Sequence, residues 1–348
     1  MKKLFYSAGI GSIMLLLAVI VQSCKQDVVN QPTPTVDNAT TTPTSVSALK
    51  LDNVEVIDGR LAFKSQNDLK AAYEKMFKNQ SDLKDFEAQF KGFTSQKQAF
   101  ERFTEEDLKR TNGDLTPFKD YVTENTRDGE VHCDRVVGPK LYSHLVSAEG
   151  LLQVGNKVYK FVPGFVYEFG INDMSSYLAN KNSLSAIPNV QKIDFEFKKQ
   201  RIQATSREPQ FESGQKTDVY ELSNGYQYRK VDAYLTTPNP CCFFAWGAEI
   251  ILEHRKRGSF GRWYGERTDM RFSGTVSYGV IEYNGTQTKF PLLTVNNIGP
   301  NNSEISSLLS YNYDGFEYVY FSPTSVDYRV VKQPGQNPWT FSNLNITF

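Results

Sequence analysis

From Ile193 to the C-terminus, turn residues cut the chain every roughly 8–15 residues, and apolar and polar side chains alternate between the cuts. Asp194-Phe195-Glu196-Phe197 and Val231-Asp232-Ala233-Tyr234-Leu235 both alternate. A period of two puts one side chain in the core and the next in water, so these are half-buried strands. The longest pairing runs Ala245–Arg257 against Arg262–Tyr278 across Gly258-Ser259-Phe260-Gly261. Val280–Tyr283, a hairpin at Asp314-Gly315, Val326–Val331 and Trp339–Phe348 follow. Many short strands joined by turns predict an antiparallel β-sandwich or a partly closed barrel. Aromatics at 13% of the chain lean the same way.

Upstream the period changes. Val54 and Val56, then Asp58-Gly59, then Leu61 and Phe63 read as a tight hairpin on the type I′ turn that Asp-Gly favours. Ser65 then caps a helix with Leu69, Ala72, Tyr73, Met76 and Phe77 on one face. Ser81 is expected to cap a second helix with Leu83, Phe86 and Phe90. Thr94 or Ser95 is expected to cap a third with Ala99, Phe100 and Phe103. Helical spacing makes these aromatic stripes core. Turn residues dominate Thr111 to Asp134, which suggests a seam between halves. Beyond it come a helix at Pro139 with Leu141 and Leu145, a strand–turn–strand over Leu151–Phe161, a strand at Phe165–Phe169 and a short helix near Asp173–Ala179. The expected fold is α+β: a hairpin and helical segment over 51–130, then a mainly antiparallel β domain over 131–348.

The first 50 residues belong to neither part. Lys2 and Lys3 precede an uncharged apolar run, Leu4 to Val21, that ends at Gln22-Ser23-Cys24, the order of a secretory signal. Ser7, Gly9, Gly11 and Ser12 interrupt the run, and a polar Pro/Thr tract follows where a spanning helix needs anchors. The stretch resembles a bacterial lipoprotein lipobox, which implies a signal over 1–23 and acylation of Cys24, palmitate included. Several acyl chains, at about 0.8 kcal/mol per buried methylene, attach a protein to a bilayer for good. Lys25 follows the cysteine where an inner-membrane retention signal has Asp, so the outer membrane is expected. Residues 24–50 have almost no large apolar side chain and read as a disordered tether. As a flexible coil it spans about 25–30 Å r.m.s..

Charge excludes one class of partner. The chain has 39 basic and 39 acidic residues, and loss of Lys2 and Lys3 with the signal leaves 37 against 39. A nucleic-acid partner needs a basic excess that is missing here. The expected partners are the membrane, through the anchor, and an envelope protein or a glycan.

Few motifs of catalytic chemistry occur in the sequence. Gly258-Ser259-Phe260-Gly261 and Ser277-Tyr278-Gly279 have the wrong spacing for a nucleophile elbow, and no His-Glu-x-x-His occurs. Only His132, His144 and His254 are available for a triad or a metal cage. His132 and Cys133 are adjacent, hence on opposite faces of a strand, which argues against joint ligation. No cofactor or metal is expected. Paired carboxylates for glycan hydrolysis have no fixed spacing, so that activity stands as the alternative to a non-enzymatic binding or structural module.

Two features are left. Cys133 is expected to bond to Cys241 or Cys242, because an exported chain matures under oxidising conditions. On the chain-entropy model that closure stabilises by up to about 4.7 kcal/mol. The alternative is three buried thiols. The tip of the long hairpin carries Arg262, Trp263 and Tyr264, flanked by further arginines and lysines, and could grip an anionic or sugar ligand by charge and an aromatic platform. The simpler expectation is a solvated strand face with Trp263 in the core.

Phe93-Thr94-Ser95 after an acidic, aromatic helix, the Val154-Gly155-x-x-Val158-Tyr159-Lys160 hairpin and the Arg257-to-Trp263 hairpin together resemble a group of uncharacterised lipoproteins from Bacteroidota. The resemblance spans most of the mature chain. It implies the envelope address and supplies no activity or functional residues.

Overall fold

The computed structural model describes residues 50–127, 129–138, 140–194, 215–219, 226–235, 246–276, 278–281, 287–289, 293–312, 318–321, 324–331 and 338–346. Cys24, the tether and the Asp314-Gly315 turn lie outside them.

The first elements follow their local sequence. Strands β1 (Val54–Ile57) and β2 (Arg60–Phe63) pair antiparallel, and Asp58 and Gly59 take φ of 47° and 77°. Both values are left-handed, as a type I′ turn demands. Helix α1 (Gln66–Lys78) starts where Ser65 Oγ accepts the Asp68 N–H at 3.2 Å and buries Leu69, Ala72, Tyr73 and Met76. Each large apolar side chain so buried contributes about 1.5–3 kcal/mol. The second expected helix is instead a run of 3-10 turns, Gln80–Gln89. The three-residue step from Leu83 to Phe86 matches that tighter winding, and both side chains still reach the core. Helix α2 (Gln96–Arg102) is capped by Ser95, and α3 (Glu105–Arg110) opens on a Thr104/Asp107 capping box that the hydrophobic periodicity did not reveal.

The stretch expected to be a seam is a hairpin, β3 (Val122–Arg127) with β4 (Glu130–Arg135). Strand β3 ends its sheet among the described strands and exposes Glu124, Asn125 and Thr126, so its alternation is weak. Helix α4 (Lys140–Leu145) is followed by β5 (Leu151–Val154), β6 (Lys157–Val162) and β7 (Phe165–Gly170), then α5 (Met174–Ala179) and β8 (Gln191–Asp194). A six-stranded sheet in the order β1-β2-β5-β6-β7-β8 results. The main core lies against it, with Leu61, Phe63, Met76, Phe86, Leu145, Leu152 and Phe161 buried together.

Gly150, at the entry to β5, has φ of +73°, and a Cβ there would meet Phe161 O at 2.7 Å and Lys160 Nζ at 3.1 Å. The left-handed backbone and the clash act together, so Gly150→Ala should cost about 2 kcal/mol or more in chemical denaturation.

Among the described residues, twelve strands make up the β-rich part: β9 (Gln215–Val219), β10 (Tyr226–Leu235), β11 (Trp246–Arg257), β12 (Arg262–Gly265), β13 (Thr268–Val276), β14 (Tyr278–Ile281), β15 (Gln287–Lys289), β16 (Leu293–Asn302), β17 (Glu304–Asn312), β18 (Tyr318–Phe321), β19 (Thr324–Val331) and β20 (Pro338–Ile346). The long hairpin turns at Gly258–Gly261 as expected, but its return arm is divided. β12 stays with β11, whereas β13 leaves to pair with β16 and β19. One edge of β11 is thus shared in succession, by β17 up to Glu253 and by β12 from Arg255. His254 sits at the handover. Its N–H goes to Ser303 O at 2.9 Å and its carbonyl accepts the Glu266 N–H at 3.0 Å.

The fold is α+β with a β-rich part, and one of its sheets curls into a half-barrel. The pairing is mainly antiparallel, as expected, with two exceptions. β2–β5 and β4–β12 are parallel pairs, each formed by elements distant in sequence and therefore invisible to local pattern. No helix among the described residues is long and apolar enough to cross a membrane.

Candidate ligand-binding cleft

A cleft of about 720 Å³ opens between two walls. One wall is Leu115–Glu124. Asp114 Oδ1 accepts the Thr116 N–H at 2.9 Å and starts a 3-10 turn, Thr116–Phe118. The Phe118 ring packs edge-on against Phe103, with centroids 5.1 Å apart, and against Tyr121. This wall is therefore pinned from behind by aromatics and turns Thr116, Lys119 and Asp120 toward the cleft. The other wall joins the β6–β7 turn, with Val162, Pro163 and Tyr167, to residues 181–185 beyond α5. Tyr177 holds α5 in place by stacking on Phe169 at 5.3 Å.

Lys160, Glu124 and Lys181 of the walls each have an oppositely charged partner. Lys160 is 3% exposed, and its ammonium donates to Asp120 Oδ1 at 2.5 Å and to the Glu149 carbonyl. Burial pulls the Lys160 pKa down and Asp120 opposes it. Glu124 is ion-paired with Arg262, and Lys181 meets Glu149 at 3.2 Å. Lys119 donates to the neutral Asn182 Oδ1 at 2.7 Å. Between these groups stand the hydroxyls of Thr116, Thr123, Ser183 and Ser185. The arrangement suits a ligand rich in hydroxyl groups, in the size range of about 300–1,000 Å³ usual for small-molecule sites.

The hairpin tip is built differently from the aromatic platform considered above. Trp263 and Tyr264 are each 3% exposed. Trp263 stacks with His132 at 6.4 Å and lies beneath Arg257 at 6.0 Å. Tyr264 donates to Glu105 Oε2 at 2.6 Å. Glu105 Oε1 accepts the Ser259 N–H at 3.0 Å and its hydroxyl at 2.6 Å. Those donors hold the Glu105 carboxyl down at about 2. Arg262 donates to Gly113 O at 2.7 Å besides pairing with Glu124. Arg262, Trp263 and Tyr264 thus clamp the hairpin onto α3 and the β3 edge. They do not form an exposed surface, and Phe260, at 38%, is the tip's exposed aromatic.

The three histidines are all buried, at 1% for His132, 4% for His144 and 0% for His254. No group of three His, Cys, Asp or Glu side chains converges to hold a metal among the described residues. Cys133 is a free, buried thiol that burial pushes up to about 12, far from reactive. The expected disulfide partners Cys241 and Cys242 lie outside the described residues.

Sequence reasoning missed Lys119, Asp120 and Lys160. One signal was present: Lys160 interrupts the apolar run Val158-Tyr159-Lys160-Phe161 of a strand that is buried almost throughout. A lysine placed there needs a carboxylate partner.

No protein-family model matches the chain, and no curated protein matches it. Among solved structures, the chain is similar to a DUF4848 family protein from Bacteroides thetaiotaomicron, at 13% identity over 82% of this chain and 98% of that one, with a TM-score of 0.27. A superposition that loose carries no argument about fold or activity.

Proposed function

We propose that this chain is a lipid-anchored protein of the cell envelope that binds a hydroxyl-rich ligand in the cleft between Leu115–Glu124 and residues 181–185, and performs no chemistry on it. The observation that carries the binding role is the cleft itself, in whose polar walls Lys160, Glu124 and Lys181 each already have an oppositely charged neighbour. The anchor reading rests on the Leu4–Cys24 stretch, and the outer-membrane address on Lys25 after the cysteine.

Labelled palmitate should mark the full chain and fail to mark Cys24→Ala, which should also leave the membrane fraction. Labelling of that variant would remove the anchor. Ser183 is exposed at the cleft, so Ser183→Trp should fill the mouth without disturbing the core. Native mass spectrometry of protein purified from its own membrane should find a small ligand on the parent chain and none on this variant. A ligand held equally by both would take the cleft out of the reading.

A second reading, glycan hydrolysis, has in its favour that Asp120 and Glu124 line the same cleft. Each is already engaged by a cation, Asp120 by Lys160 and Glu124 by Arg262. Release of reducing sugar by the parent chain and its loss in Glu124→Gln would favour this reading over simple binding.

A further inference from the structure

The charge balance of the cleft is uneven at one point. Lys160 is matched by Asp120, Glu124 by Arg262 and Lys181 by Glu149, all as ion pairs. Among the described residues, Lys119 alone of the lining cations has a neutral partner, the side-chain oxygen of Asn182. An ammonium has three N–H donors, and Asn182 takes one of them. Lys119 is exposed at the mouth, and its charge is felt by Lys160 at the floor. Among the described residues, one unit of positive charge is therefore left over beside the paired charges, hydroxyls, amide and apolar side chains that line the cleft. Hydroxyls and the Tyr167 ring suit the polar edges and carbon faces of a sugar, and a single ammonium suits one carboxylate.

We infer that the ligand is an acidic saccharide, a sugar chain bearing a carboxylate that Lys119 receives while the Thr and Ser hydroxyls of the two walls meet its hydroxyl groups. The inference rests on the cleft being a binding site and adds the class of ligand. It requires no movement of the Lys160–Asp120 pair, because Lys119 already stands at the entrance. Binding should weaken as salt is raised, since the contact is near the surface and screened over about 8–10 Å at ordinary ionic strength.

The test is calorimetric titration of the full chain with trigalacturonate, with a neutral galactose trisaccharide and with triglutamate, on the parent protein, Lys119→Gln and Ser183→Trp. Trigalacturonate should bind the parent at least about tenfold more tightly than the neutral sugar, the effect of one charge-assisted hydrogen bond. Lys119→Gln should erase that preference and leave the neutral sugar within about twofold, as expected where only a charge is removed. Ser183→Trp should abolish both. Equal affinity for the two sugars, both lost in Ser183→Trp, overturns the acidic class and keeps the cleft as a site. Trigalacturonate binding that survives Ser183→Trp overturns the class and the cleft together. Tighter binding of triglutamate than of either sugar, or binding of none of the three, overturns the saccharide assignment.

Discussion

Glu253→Ala should lower the unfolding free energy by up to about 3–5 kcal/mol, the cost of taking from a buried cation one of its two counter-ions. Arg255 has a side chain 4% exposed, and three groups hold it. Its Nε and Nη2 donate to the two Glu253 oxygens at 3.0 and 2.9 Å, Nη2 also reaches Asp134 Oδ1 at 2.7 Å, and Nη1 meets the Cys133 carbonyl at 3.1 Å. Glu253 lies directly across from Glu304 on β17, a like-charge pairing that would repel. Each acid has its own arginine: Arg255 for Glu253, and Arg135 of β4 for Glu304 at 2.7 Å. The network ties β4, β11 and β17 where the shared edge of β11 changes partner. Truncating Glu253 strands Arg255 with Asp134 alone, whereas Glu253→Ala combined with Arg255→Met removes both charges and should recover most of the loss. Urea denaturation of the two single variants and the double variant measures the coupling. A single-variant loss below about 1 kcal/mol would mean that Arg255 rehydrates, and the network would then contribute nothing to the fold.

Stability should fall steeply as pH drops from about 6.5 to 4. Burial pulls the pKa of both His144 and His254 down to about 4. His144 has Glu87 Oε1 at 3.6 Å, which favours protonation, but burial and the charges of Lys97 and Lys140 oppose it. His254 donates from Nδ1 to Glu266 O at 2.9 Å, its partner in the neutral form. In the unfolded chain both titrate near 6.5, so between about 6.5 and 4 the unfolded state binds more protons and protonation favours it. Their contribution is complete above about 6.5, is lost progressively toward 4 and stays lost below. A displacement from 6.5 to about 4, at 1.36 kcal/mol per pH unit, corresponds to about 3 kcal/mol for each histidine. Glu105, held at about 2, extends the decline into the window from about 4.5 to 2. Urea midpoints measured from pH 7.5 to 4 should show the slope, and His144→Gln and His254→Gln should each remove about half of it above pH 4.5. A flat profile from 7 to 5 would show that neither ring is desolvated as described.

The parts of the fold legible beforehand were those governed by neighbours in the chain. Asp58-Gly59 specified its own turn, and Ser65 with the Leu69–Met76 stripe specified α1. What escaped was governed by contacts across long separations. The 3-10 winding of Gln80–Gln89, the β3–β4 hairpin and the transfer of β13 from β11 to β16 are all choices among several local possibilities. The cleft escaped for the same reason, because its walls come from two segments about 60 residues apart that are each positioned by aromatic packing behind them and joined by the Lys119–Asn182 hydrogen bond.

By itself the sequence determined the α+β class, the first hairpin and helix and the buried stripes, because hydrophobic period and capping chemistry act over a few residues. Only the tertiary structure decided that Trp263 and Tyr264 lie inside, that Glu253 and Arg255 share their charge, and that Lys119 is left facing the cleft with a neutral partner. A side chain's pairing is settled by which strand arrives beside it. That arrival is fixed by sheet register and core packing, and no short window of sequence contains it.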